Sequence, residues 1–122
     1  MSGWLGDPVV SMARPAPEAL SALQVRRLEA RLQAEVEAAA GKGAAFAILD
    51  SSGEAGEAAE LVRQILVDLS RDALGRAAVV SIARVEIAMG VEGGVSLREG
   101  VLRVDALFQD GDSLRRRLES LL

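Results

Sequence analysis

Two alternating apolar runs, GGVSLR and GVLRVD, meet at Arg98-Glu99-Gly100, and this pattern constrains the fold more than any other in the chain. Val95 and Leu97 alternate with Ser96 and Arg98. Beyond the turn, Leu102, Val104, Ala106 and Phe108 alternate with Arg103 and Asp105. Period-two alternation on both sides of so short a link predicts a hairpin, which needs a sheet to join and helices to cover its apolar face.

The rest of the chain supplies both. Ala78 to Met89, AVVSIARVEIAM, reads as one long strand with Val79, Ala83, Val85, Ile87 and Met89 on one face. Short links then predict a meander of three antiparallel strands. Ala44 to Leu49, AAFAIL, is continuously apolar, as expected of a mid-sheet strand. Leu20, Leu23, Leu28, Leu32, Val36 and Ala39 recur at helical spacing and predict a helix over Glu18 to Ala40, stopped by Gly41 and Gly43. After a turn at Asp50-Ser51-Ser52-Gly53, Ser51 and Glu54 have capping-box spacing. Ala58, Leu61, Val62, Ile65, Leu66, Leu69 and Ala73 then form one arc of a central helix over Glu57 to Leu74, ended by Gly75. Leu114, Leu118 and Leu121 give a last helix after the turn at Asp110-Gly111-Asp112.

The expected order is α-β-α-β-β-β-α. This is an α/β fold of the α+β sandwich type, with one mostly antiparallel sheet of about four strands, a long central helix and helices at both ends. At 122 residues the chain suits one domain. Residues 1–17 hold all three prolines, Pro8, Pro15 and Pro17, and read as an N-terminal arm whose Trp4-Leu5 and Val9-Val10 dock on the chain's own core or, as the lesser alternative, on a partner; residues 18–122 form the α/β domain.

Composition excludes much chemistry. There is no Cys, His, Tyr, Asn or Thr, so thiolate or imidazole ligands, thiol nucleophiles and histidine bases are all absent. Trp4, Phe46 and Phe108 are the only aromatics, too few for a base-stacking platform. A net charge of −4 opposes general affinity for nucleic acid. The longest strictly apolar run, Ala44 to Leu49, is far short of the roughly 20 residues of a membrane span, and no leader pattern appears at the start of the sequence. The expectation is a cytoplasmic protein with no nucleic-acid partner and no membrane span.

Three motifs fail on inspection. AAAGKG at Ala38 to Gly43 lacks the earlier glycine and the following Ser or Thr of a phosphate loop, and it follows a helix instead of a strand. Arg115-Arg116-Arg117 reads as a solvated face near a helix C-terminus. Asp105, Asp110 and Asp112 lack the spacing of a calcium loop and are explained by turn formation and capping. A small enzyme using Asp/Glu acid–base chemistry is the least favoured alternative, since no Asp or Glu sits in an apolar context that would raise its pKa. The expectation is therefore no catalytic residue, no metal and no cofactor.

Two features point to protein contacts. Val67 and Leu74 fall off the apolar arc of the central helix, beside Arg63 and Arg71, and burying each against a partner is worth roughly 1.5 to 3 kcal/mol. The strand from Ala78 to Met89 is longer than its neighbours, and at a sheet edge its unpaired backbone would invite a second copy.

With this order, the stretch from Leu28 to Leu122 resembles a small roadblock-type domain, the family of roadblock dynein light chains and of bacterial regulators of Ras-like GTPases. AAFAILDSSG resembles that family's strand ending in Asp and a Gly turn, and SLRRRLESLL its terminal helix; the second short strand expected after the turn has no counterpart in GEAGEAAE. The resemblance implies a homodimer joined through the first meander strand, here Val80, Ile82 and Arg84. Paired central helices, here Arg63, Val67, Arg71 and Leu74, would form a platform for a small GTPase or another roadblock domain. A second resemblance rests on GGVSLREGVLRVD followed by LRRRLESL, which is similar to the end of rotary ATPase peripheral-stalk subunits and of flagellar or secretion-export stators. Those proteins carry a longer N-terminal helix and a shorter helix between strands. Either way the expected function is that of a non-enzymatic protein–protein interaction domain: a homodimeric scaffold or GTPase regulator, or an assembly subunit of a rotary or export apparatus.

Overall fold

Ser21 starts the first helix by a reciprocal pair of hydrogen bonds. Its Oγ accepts from the Gln24 backbone N at 3.1 Å, and its own backbone N donates to Gln24 Oε1 at 2.8 Å. This capping box sets the start of α1, Ala22–Ala40, later than apolar spacing alone suggests. Gly41 closes the helix, its N–H donating to the Glu37 carbonyl at 2.8 Å. The computed structural model describes residues 19–89, 94–105 and 111–122, so the proline-containing arm and the expected strand positions Ala106 and Phe108 lie outside the described residues.

Strand β1 is Ala45–Ile48, and helix α2 is Gly53–Leu69. The cap of α2 is Ser52, whose Oγ accepts from Ala55 N at 3.2 Å, where Ser51 was the expected cap. The helix also ends five residues before Leu74. Ser70 is buried, and its Oγ donates to the Leu66 carbonyl at 2.8 Å, bonding back to the last turn of α2.

The expected strand Ala78 to Met89 is instead a helix and a short strand. Helix α3 spans Ala73–Val80 and strand β2 only Arg84–Ala88. The cause lies upstream: Asp72 Oδ1 accepts from Gly75 N at 2.7 Å, an N-cap that starts a new helix through the residues expected to stop one. The valines follow because Val79, almost fully buried, gains more from packing than β-propensity costs in a helix.

Strands β3, Val95–Arg98, and β4, Val101–Asp105, form the expected hairpin, and α4 spans Gly111–Leu121. The sheet order is β1-β2-β4-β3. β1 pairs with β2 and β2 with β4 in parallel, and only β3 with β4 is antiparallel. The meander is therefore corrected: β3 passes to the outer edge and β4 takes the place beside β2. Burial explains the choice, since Leu102 and Val104 of β4 are fully buried while Val95 and Leu97 of β3 are only partly so. β1 is likewise an edge strand; its continuous apolar run reflects alanines, of which Ala45 is exposed.

Register aligns Phe46, Val85, Leu102 and Leu97 in one row and Ile48, Ile87, Val104 and Val95 in the next. These rows form the sheet's buried face, which joins the fully buried Leu32, Val36, Val62, Ile65, Leu66, Leu114 and Leu118 of α1, α2 and α4 in one core. The opposite face carries Arg84, Glu86 and Arg103, with guanidinium–carboxylate distances of 2.9 Å and 3.5 Å to Glu86. The described residues thus form an α+β fold of four helices on one four-stranded mixed sheet.

Candidate protein-interaction surfaces

The residues read from the sequence as one platform are divided among α2, the link after it and α3. Arg63 on α2 is drawn inward, 3.4 Å from Glu35 of α1 and 3.8 Å from Glu60. Arg31 completes the cluster at 2.9 Å from both Glu35 and Glu60, and the Glu60 hydrogen bond in particular holds its pKa above the usual value. This network ties α1 to α2. The Nε of Arg63 is buried and, despite its nearness to Glu35, has no hydrogen bond of good geometry. Val67 is half-buried on α2, and Arg71 stands 3.4 Å from Asp68 in the link before α3. Leu74 belongs to α3, where it is 85% exposed.

The expected joining strand is dispersed too. Val80 ends α3, half-buried; Ile82 is 1% exposed and part of the core; Arg84 opens β2, which is paired on both sides. None of the three lies on a sheet edge, so an edge-to-edge joint cannot run through them.

The true edges are β1 and β3, and the fold treats them differently. In β1, the N–H groups of Ala45 and Leu49 donate inward to Ala83 and Ile87 carbonyls. Ile48 N points outward and donates to Glu29 Oε2 at 2.8 Å. The α1 helix thus lends a carboxylate to plug that edge, one of the devices that keep sheets from pairing with strangers.

On β3 the inward groups follow from the bond of Asp105 N to the Gly94 carbonyl at 2.8 Å. Antiparallel alternation then turns Ser96 and Arg98 inward to Arg103 and Val101, and turns the N–H and C=O groups of Val95 and Leu97 outward. Among the described residues nothing plugs them. Beside this edge runs α4, and a groove of about 290 Å³ lies between them, lined by Val95, Arg116, Arg117, Ser120 and Leu121. Arg116 and Arg117 therefore sit at a strand edge as well as on the solvated face read from the sequence. A second groove, about 280 Å³, lies between α3 and the end of α4, where Leu69, Leu74, Ala78 and Leu122 make an apolar floor and Asp72 and Glu119 an acidic margin.

Asp68 links α2 to α4. It accepts from Arg115 at 2.8 Å and from Gln64 at 3.2 Å. The Arg115 hydrogen bond, above all, holds its carboxyl below the usual range, against a smaller opposing effect of burial. Among the described residues, no group of three or more potential metal ligands gathers, and no helix is long and apolar enough to cross a membrane. No protein-family model, curated protein or solved structure matches the chain.

Strand order is what the sequence reading missed. The only local sign of it was the weaker apolar character of β3, two buried-face residues against the longer run that starts at Leu102.

Proposed function

We propose that this chain is a non-enzymatic assembly module, a cytoplasmic bacterial subunit of the peripheral-stalk or stator type that joins a larger apparatus by protein contacts. The observation that carries this reading is the hairpin–helix unit. Gly94 leads into β3, Glu99-Gly100 turns the chain into β4, and α4 packs against β3. That is the segment on which the resemblance to rotary ATPase stalks and export stators rests.

A second reading, a homodimeric roadblock-type scaffold that regulates a partner such as a small Ras-like GTPase, is favoured by Leu74, exposed beside an apolar groove of its own chain. In that reading the dimer forms through α3 and not through a strand.

Native purification of the tagged full chain from its own cells, with cross-linking and mass spectrometry, tests both. Rotary ATPase or export-apparatus subunits cross-linked to the hairpin–helix unit are the expected result. A symmetric dimer cross-linked through α3 and bound to a GTPase would transfer the conclusion to the second reading, and a solitary chain would overturn both.

A further inference from the structure

We propose that α3 is a hinged flap: the segment from Arg71 to Ser81 detaches from the core as one unit while α1, α2, α4 and the sheet keep their structure. The proposal stands apart from the assembly reading and does not depend on it.

The flap has fixed ends. Before it, Ser70 is 2% exposed, and its Oγ donates to the Leu66 carbonyl. After it, Ile82 is 1% exposed, the Ala83 N–H donates to the Gly100 carbonyl at 2.7 Å, and the Ala83 carbonyl accepts from Ala45 N at 3.1 Å. Between these anchors the hold is slight. Of the eight residues of α3 only Val79 is buried; Gly75, Ala78 and Val80 are half-buried, and Ala73, Leu74, Arg76 and Ala77 are exposed. Among the described elements α3 packs only on α1 and α2. Its close contact at Gly75 is with the Leu69 carbonyl, at the hinge itself.

The helix has little strength of its own. Isolated helices shorter than about 12–15 residues are marginal in water, and Gly75 with the β-branched Val79 and Val80 lowers the helix preference further. The bonds that cap its two ends, Gly75 N–H to Asp72 Oδ1 and Ser81 hydroxyl to the Ala78 carbonyl, are both exposed to water. A region with few buried apolar contacts and exposed hydrogen bonds opens at lower free energy than the core. The seating of one valine therefore governs whether the flap is shut. Opening withdraws Leu74 and Ala78 from the groove they share with Leu69 and Leu122, and bares the core surface that Val79 covers. A groove partner that binds one of the two states better than the other shifts the population between them.

The full chain has no cysteine, so Val79→Cys carries a single thiol, and its reaction with a thiol reagent reads the opening of the flap. Val62→Cys, at a fully buried position on α2, is the reference for opening of the core. The expected result is labelling at least about a hundredfold faster at position 79 than at position 62. Its urea dependence should be shallow at 79 and steep at 62, because flap opening alone exposes little surface. Amide exchange in the unmodified chain makes the same comparison between Val79 and Val80 on the flap and Ile65 and Leu66 on α2. Val104→Ala, which opens a cavity in the sheet away from α3, is expected to speed exchange at Ile65 and Leu66 about tenfold and to leave Val79 and Val80 unchanged. If that variant does not fold, the urea dependence in the unmodified chain decides. Equal labelling or equal urea dependence at the two positions, or Val104→Ala speeding α3 amides as much as those of α2, would overturn the proposal. So would Val79 and Val80 amides with no protection at all, since a flap must also shut.

Discussion

A Cβ built on Gly75 would stand 1.9 Å from the Leu69 carbonyl oxygen, so the start of α3 lies directly against the end of α2 with no space for a side chain. The obstacle is backbone and cannot swing aside. Gly75→Ala is therefore expected to force the two helices apart and destabilise the chain by about 2–3 kcal/mol, in the range of core overpacking. Urea unfolding at unchanged slope would report it. If Gly75 merely terminated a helix before a long strand, the same change would be close to neutral, and that outcome would refute the observed packing.

Glu29 and Ile48 make the second testable pair. The carboxylate accepts a strand N–H at 2.8 Å in a part-buried setting, and Glu29→Ala leaves that donor without a partner. The expected loss is about 1–2 kcal/mol, and Glu29→Gln, which keeps an acceptor, should recover about half of it. Amide exchange at Ile48 should accelerate selectively in Glu29→Ala. Unchanged exchange there would mean that the edge is protected by something other than this side chain.

The hairpin turn holds unused stability. Glu99 has φ +51° and Gly100 φ +78°, two consecutive left-handed residues that define a type I′ turn. Gly100 takes that conformation freely; Glu99 does not. Glu99→Asn is expected to raise stability by about 0.5–1 kcal/mol, and Gly100→Ala to lower it by a similar or larger amount. Thermal unfolding of both variants checks the pair, and a destabilised Glu99→Asn would contradict the turn geometry.

Much of the architecture was legible because it is local. The apolar stripe of α1, the hairpin between Val95 and Asp105 and the final helix at Leu114 and Leu118 all follow from spacing. Alternation fixes which face of a strand is buried and says nothing of its neighbour, which is why the edge position of β3 and the interior position of β2 were not readable. The sequence AVVSIARVEIAM favours strand residue by residue, yet the Asp72 cap and the burial of Val79 turn its first part into helix. Arg63 looked like a free surface arginine because its partner Glu35 lies on another helix. No window along the chain contains that contact. The groove between β3 and α4 joins two segments whose adjacency depends on strand order.

Asp68 sets an acid limit on stability. Its pKa is lowered in the folded chain, first by Arg115 and then by Gln64 and Arg71, so the unfolded chain binds the proton more readily than the folded one. The stabilisation is present above the ordinary carboxylate pKa of about 4 and is lost as pH falls through the lowered folded value. Asp50, held low by the Ser52 backbone N–H at 2.7 Å, adds an effect of the same sign. Because Asp68 and Arg115 are partly open to water, screening keeps the pair's worth at about 0.5–1 kcal/mol. Asp68→Asn should lose that amount near neutral pH, and the two curves should converge once wild-type Asp68 is itself protonated. Urea midpoints measured across the acid range check the sign. A variant whose deficit stays constant from neutral to strongly acid solution would show that the contact between α2 and α4 depends on shape alone and not on the charge of Asp68.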